Sequence, residues 1–221
     1  MSSKEGRSYR RLLWGLAIAG ALLDQASKYG VFRWLNGDEY RRPELSTADF
    51  YAGRYEVIPG AFRLLAQFTR TPAPADDRLH LLRTWSSANL PKVNPGALFG
   101  FLSEYAKDAN AVFALISILA AIAITIWSCK RSTASDATLC AALGLILGGT
   151  LGNLYDRLVF HGVRDFLYFY LINWPVFNIA DCCLVCGAGL LLLQAFWPRA
   201  ALGPGGEIPT HLGEAKVQAS A

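Results

Sequence analysis

Asp165 and Asp181 flank a short connection that joins two apolar runs, Leu139 to Leu151 and Ile179 to Trp197. Polar side chains gather around them: Asn153, Asp156 and Arg157 before the connection, Arg164 within it, and Asn178 at its end. Ionisable groups at the edge of a bilayer cost a few kcal/mol each on insertion scales, so they pair or do chemistry. Two carboxylates brought close together cannot easily both ionise, so one keeps a proton while the other is a base. Such a pair activates a water for attack on a peptide carbonyl and then protonates the leaving amine. Asn153 and Asn178 have amides that orient carboxylates or substrate carbonyls, and Arg157 can anchor backbone oxygens. Two other readings of the same residues stay open at this point. Asp156, Arg157, Arg164 and Asp165 could form a set of interfacial ion pairs. A carboxylate metal site is the other, although His161 is the one nearby imidazole and no ligand spacing accompanies it.

The elements that must hold these groups follow from periodicity. On a helix Asn153 and Arg157 are four apart and share a face, as do Asn178 and Asp181, three apart. The alternating run from Val163 to Phe169 is strand-like, and folding it back brings Asp165 against Asp181. Apolar stretches predict four membrane helices: Leu12 to Trp34, Ala109 to Trp127, Ala137 to Val159 and Asn178 to Trp197. A basic start before the first apolar stretch also fits a cleavable signal peptide. The apolar character resumes after Lys28, and no small-residue cleavage site follows, so an uncleaved helix is the better reading. Within that helix Asp24 and Lys28 stand four apart, an ion pair pointed into the bundle.

Residues 36–108 form a long extramembrane segment. Arg54 to Arg70 predicts two strands around a Pro59-Gly60 turn. Thr71 to Ala75 has a linker composition. Asp76 and Asp77 then stand where they could cap a short helix carrying Leu79, Leu82 and Trp85.

Over 221 residues the chain is 53% hydrophobic and 17% charged, with mean hydropathy +0.27, which is too apolar for an ordinary soluble domain. A net charge of +4, scattered along the chain, gives no basic face for nucleic acid. Cys129, Cys140, Cys182, Cys183 and Cys186 lie in or beside apolar runs and read as small fillers; the Cys183-x-x-Cys186 spacing has no second pair. Positive charge concentrates in the N-terminal tail, in Lys130-Arg131 and at Arg199, which places both termini in the cytoplasm. The polar cluster and residues 36–108 then fall on the outer face. No internal repeat stands out, and the charges gather at one side of the membrane, both against a transporter.

Five blocks in order carry a resemblance: Asp24-Gln25-Ala26-Ser27-Lys28, Asn94-Pro95-Gly96-Ala97-Leu98-Phe99, Gly152-Asn153-Leu154-Tyr155-Asp156-Arg157, Val163-Arg164-Asp165-Phe166 and Phe177-Asn178-Ile179-Ala180-Asp181. They resemble the blocks of the bacterial lipoprotein signal peptidase (signal peptidase II) family, over most of residues 12–197. The resemblance implies an intramembrane aspartyl protease that removes signal peptides from prolipoproteins, cutting before a cysteine that carries diacylglycerol. It implies Asp165 and Asp181 as the catalytic pair. Asp24, Lys28, Asn94, Gly96, Asn153, Arg157, Asn178 and Ala180 match supporting positions, and Asp156 reads as structural. The implied partners are the diacylglyceryl-modified prolipoprotein and membrane lipid, with no cofactor, metal or nucleic acid.

The implied fold is an all-α membrane protein with four transmembrane helices. A small extracytoplasmic β-cradle forms around Arg54–Phe68, and a short surface helix over Ala97–Tyr105. Residues 1–197 make one protease domain in a bacterial inner membrane, and 198–221 a disordered cytoplasmic tail. Three departures from the family pattern stand out. The segment 69–92 looks like an insertion of about twenty residues, expected beside the cleft as an outer element that holds the lipidated substrate. Pro95 and Leu98 replace smaller or more polar residues, and Cys182-Cys183 follows the last aspartate.

Overall fold

The computed structural model of the protein describes residues 7–96 and 106–196. The surface helix expected over Ala97–Tyr105 and the tail from Pro198 lie outside the described residues. Four long helices carry the fold: α1 (Arg10–Leu35), α3 (Ala106–Ser128), α5 (Ala137–Phe160) and α6 (Ile179–Phe196). Their bounds fall within three residues of the sequence expectation. Three of them contain stretches long and apolar enough to cross a membrane: Asp108–Ser128, Ala137–Phe160 and Ile179–Phe196. Polar Asp24, Gln25 and Lys28 interrupt α1, although its 26 residues amount to about 39 Å.

Helix α5 is the central element, packed against α1, α3 and α6. Asp136 caps its start by accepting the Leu139 N–H at 3.0 Å, and His161 ends it in the left-handed region at φ 60°. The small residues Gly144, Gly148 and Gly152 recur every four positions, so one face of α5 is nearly bare backbone. A Cβ at Gly144 would lie 2.5 Å from the Leu13 carbonyl oxygen, and one at Gly152 2.6 Å from the Asp24 carboxylate. That close approach brings α1 against α5 and makes room for a carboxylate between them. Leu13, Ala17, Ile124, Cys140, Leu143 and Leu147 close the core at one end. On α3 the opposite relation holds: Val112, Leu115, Ile116, Leu119, Ile122 and Ile126 are all more than half exposed, an apolar face suited to lipid.

A four-stranded antiparallel sheet sits at the other end: β1 (Phe50–Ile58), β2 (Phe62–Pro72), β3 (Asn89–Pro91) and β4 (Leu167–Tyr168), with β2 pairing all three others. The expected hairpin is present, and Gly60 supplies the positive φ of its turn at +82°. Strand β1 begins four residues earlier than the alternation predicted. The added residues Phe50–Gly53 pair with Ala66–Thr69, and Tyr51 stacks on Phe68 at 5.1 Å between centroids. Phe32, Leu35, Tyr51, Ala66, Phe68 and Phe166 form one cluster that fastens the sheet to the end of α1.

Candidate active site

The connection between α5 and α6 folds back on itself. Leu167 and Phe177 exchange backbone hydrogen bonds at 2.9 and 3.0 Å, which sets Asp165 beside Asn178. Asn94 and Val163 form a second bridge at 2.8 Å in both directions, so the Asn94 block joins the same corner. Asp181 is placed by the start of α6. Its backbone N–H donates to Asn178 Oδ1 at 3.0 Å, while its carboxylate accepts the Asn178 N–H at 3.2 Å. This reciprocal capping satisfies two free N–H groups of the first turn and holds the carboxylate at the positive end of the helix.

Two asparagines tie the aspartates together. Asn178 Nδ2 donates to Asp165 Oδ1 at 2.6 Å and to Asn153 Oδ1 at 3.2 Å. Asn153 Nδ2 donates to Asp181 Oδ1 at 2.9 Å. Asn94 Nδ2 donates to the other oxygen of Asp165 at 3.2 Å. Each carboxylate is thus held on both oxygens, which fixes its rotamer before any substrate arrives. Burial pushes the Asp165 carboxyl up to about 7, and the nearby Asp181 charge adds to the rise.

Beneath this layer lies a buried charge network. Lys28 Nζ is 2.8 Å from Asp24, 3.4 Å from Asp156 and 3.1 Å from Asn153 Oδ1. Asp24 also accepts the Ala180 N–H, a first-turn donor of α6, at 2.9 Å. Arg164 closes the set. Its guanidinium meets Asp156 at 2.8 and 3.2 Å and Gln25 at 2.8 Å, and its backbone N–H donates to Asp156 at 2.8 Å. Tyr29 and Phe160 cover it at 4.2 and 4.0 Å. Asp24, Lys28, Asp156 and Arg164 are essentially inaccessible to solvent, two charges of each sign. The ion-pair reading of the sequence therefore holds for Asp156 and Arg164. Asp165 and Arg157 stand apart from it and face open space.

That space is a cavity of about 780 Å³ lined by Asn94, Gly96, Asn153, Arg157, Asp165 and Asp181, with Phe113, Trp174 and Val176 supplying apolar walls. Gly96 adopts φ +102°, and a Cβ there would strike the Phe113 ring. Arg157 lies over that ring at 5.5 Å, and its buried Nε has no hydrogen-bond partner among the described residues. A polar substrate atom could supply one. All ten site residues expected from the sequence meet in this one constellation. Phe113, Trp174 and Val176 were not foreseen, because an aromatic or aliphatic residue in an apolar chain carries no local signal of lining a cavity.

Of the segment 69–92, Lys92 alone approaches the site, in a smaller adjoining cavity that it shares with Asn94 and Asp165. No residue between Arg70 and Pro91 lines either cavity. Helix α2 (His80–Thr84) packs instead against α5 and β3. Tyr29 donates to the Leu82 carbonyl at 3.0 Å, Ser86 donates to the Tyr29 carbonyl at 3.0 Å, and Arg83 donates to the Val159 carbonyl at 2.6 Å while pairing with Asp77 at 2.7 Å. The lone Asp77–Arg83 pair and the polar ends of α1 and α5 outweigh the weak amphipathicity that favoured a place by the cleft. Arg83→Ala is expected to destabilise the protein by about 1–3 kcal/mol, by orphaning the Val159 carbonyl, with KM little changed. Thermal unfolding in detergent beside steady-state kinetics checks this.

The donor set also bears on the metal reading. Asp165 and Asp181 are ringed by amide N–H groups and by Arg157, and these repel a cation. Among the described residues no three His, Cys, Asp or Glu side chains converge. Activity is expected to be the same with and without EDTA, and a loss restored by a divalent ion would contradict this.

The sequence profile of the family described as signal peptidase II matches residues 79–197. The lipoprotein signal peptidase of Rhodopirellula baltica is 36% identical over 199 residues, covering 84% of this chain and 71% of that protein. The chain belongs to the signal peptidase II family. Other members share a shorter region. Those of Pseudoalteromonas translucida and Alteromonas mediterranea are 42% and 44% identical over 105 residues, 47% of this chain, and that region spans 63% and 57% of their own lengths. Two solved structures of a bacterial membrane enzyme share the fold, each with TM-score 0.58 at 22% identity. They cover 86% and 88% of this chain and 91% and 98% of their own.

Proposed function

We propose that this chain is a membrane-embedded aspartic endopeptidase that removes signal peptides from diacylglyceryl-modified prolipoproteins, with Asp165 and Asp181 as its catalytic pair. The observation that carries the reading is the pair itself: two carboxylates on one cavity, cross-tied by Asn153 and Asn178, one of them pushed up to about 7. Asp165 holds the proton and Asp181 is the base. Asp181 takes a proton from a water as that water attacks the scissile carbonyl, and Asp165 hydrogen-bonds the developing oxyanion. The proton on Asp181 then passes to the leaving amine as the C–N bond breaks, leaving a carboxylic acid and a free amine. Arg157, held over Phe113, binds a backbone oxygen of the peptide. The apolar walls of the cavity suit the acyl chains of the lipidated cysteine and the flanking signal helix. No cofactor enters these steps.

Helix α1 is the fourth span. Its Asp24 and Lys28 neutralise one another inside the bundle, which removes the charge that otherwise bars it from the bilayer. Both termini then lie in the cytoplasm, with the dyad near the extracytoplasmic face, as the basic residues of the tails and the Lys130-Arg131 link favour.

The active form carries one proton on the pair. As pH rises through about 7 Asp165 loses that proton, so kcat/KM is expected to fall tenfold for each further pH unit. A profile on a lipidated substrate from pH 5 to 9 checks this. A rate that keeps rising to pH 9 would contradict the assignment of the proton to Asp165.

A further inference from the structure

At the end of the bundle away from the dyad lies a second cavity, of about 650 Å³, that plays no part in the proposed cleavage. Arg7, Ser8 and Arg10 line it from the start of α1, and Arg131, Ser132 and Ser135 from the α4 turn (Arg131–Ala134). The two walls are fastened together by the Tyr9 N–H, which donates to the Ala134 carbonyl at 2.7 Å. All three arginines are exposed, and none forms an ion pair among the described residues. Arg10 spends its donors on the Ser128 and Cys129 carbonyls at the end of α3, which holds its charge at the rim. Arg7 lies against Tyr9 at 5.8 Å and donates no side-chain hydrogen bond among the described residues. The cavity is thus a concave, preformed site with three positive charges, three hydroxyl groups and, among the described residues, no acidic lining residue.

Its depth identifies the ligand. Trp14, one turn into α1 from Arg10, and Trp127, next to Ser128 on α3, are both about 40% exposed at this level. Indole rings at the ends of apolar spans mark the boundary between acyl chains and headgroups. The cavity therefore opens where the phosphodiesters of a leaflet lie. Guanidinium forks and serine hydroxyls match phosphate oxygens, and an anionic headgroup meets the uncompensated charge. We propose that this cavity binds the headgroup of an anionic phospholipid. The site rests on the membrane reading of the helices and is independent of the catalytic assignment.

Native mass spectrometry of the full-length protein in detergent tests it, with phosphatidylglycerol, phosphatidylcholine or inorganic phosphate added. The expected result is a saturable phosphatidylglycerol adduct that phosphatidylcholine does not give. In Arg7→Gln and Arg131→Gln it weakens roughly fivefold each, and in the double variant about twenty-five-fold. Cleavage of a lipidated substrate in detergent should be unchanged in these variants, which shows them folded. Equal adducts with both lipids, or undiminished phosphatidylglycerol binding in the double variant, would overturn the proposal. Full displacement of the lipid by millimolar inorganic phosphate would overturn the lipid as its occupant and leave a soluble anion.

Discussion

Asp165→Asn and Asp181→Asn are each expected to lower kcat by about 10²–10⁴-fold while leaving KM within a small factor of the parent value. The two carboxylates have separate tasks in the proposed cycle, so neither replaces the other, and the double variant should be little worse than either single one. Loss of fold is not the cause. Asn is close in shape to Asp, and its one oxygen can keep the short Asn178 hydrogen bond of Asp165 while its NH2 displaces only the longer one from Asn94. Thermal unfolding separates the two explanations. The folded state keeps the Asp165 proton up to about pH 7, whereas an unfolded aspartate releases it near pH 4. The parent protein therefore loses stability as pH rises across that window, and the Asn variant escapes this loss. Asp165→Asn should unfold at a higher temperature than the parent at pH 8, with the difference shrinking toward pH 4. Near-parent turnover in either variant would sink the assignment.

The second large effect concerns stability. Lys28→Met is expected to destabilise the protein by about 3–5 kcal/mol, since it leaves Asp24 and Asp156 in one buried site with Arg164 as their one remaining cation. It also removes a donor from Asn153 Oδ1, the acceptor shared with Asn178. Activity should fall along with stability, because that amide orients Asp181. Adding Asp24→Asn to Lys28→Met removes one unpaired charge and should restore part of the lost stability. Urea or thermal unfolding in detergent reads both changes. Equal stability of Lys28→Met and the parent would mean that the network is not the keystone its burial implies.

Much of this site was legible in the chain because its residue types are costly where they stand. Asp24 and Lys28 in an apolar run, or Asn178 and Asp181 at a helix start, persist only with partners. Spacing of three or four then shows which pairs share a face. The strand-like alternation after Val163 likewise foretold the fold-back that carries Asp165 toward Asp181. What spacing could not supply was the meeting of distant segments. Gln25 and Arg164 are far apart in sequence, and their contact depends on the depth at which α1 crosses α5, set by Gly144, Gly148 and Gly152. Helix α2 was misplaced for the same reason. Its apolar residues gave a face but no address, and the address came from Tyr29, Val159 and Asp77. Early pairing of β1 was hidden too, since Phe50–Gly53 shows no alternation and gains its strand from Ala66–Thr69 across the sheet.

The masses of the products formed when the purified protein meets a diacylglyceryl-modified prolipoprotein peptide decide whether Asp165 and Asp181 cleave it. The expected products are two fragments, a free signal peptide and a product beginning with the lipidated cysteine, from the parent enzyme in the presence of EDTA, and intact substrate from Asp165→Asn and Asp181→Asn. Cleavage at another bond, or the same fragments from either aspartate variant, would contradict the assignment.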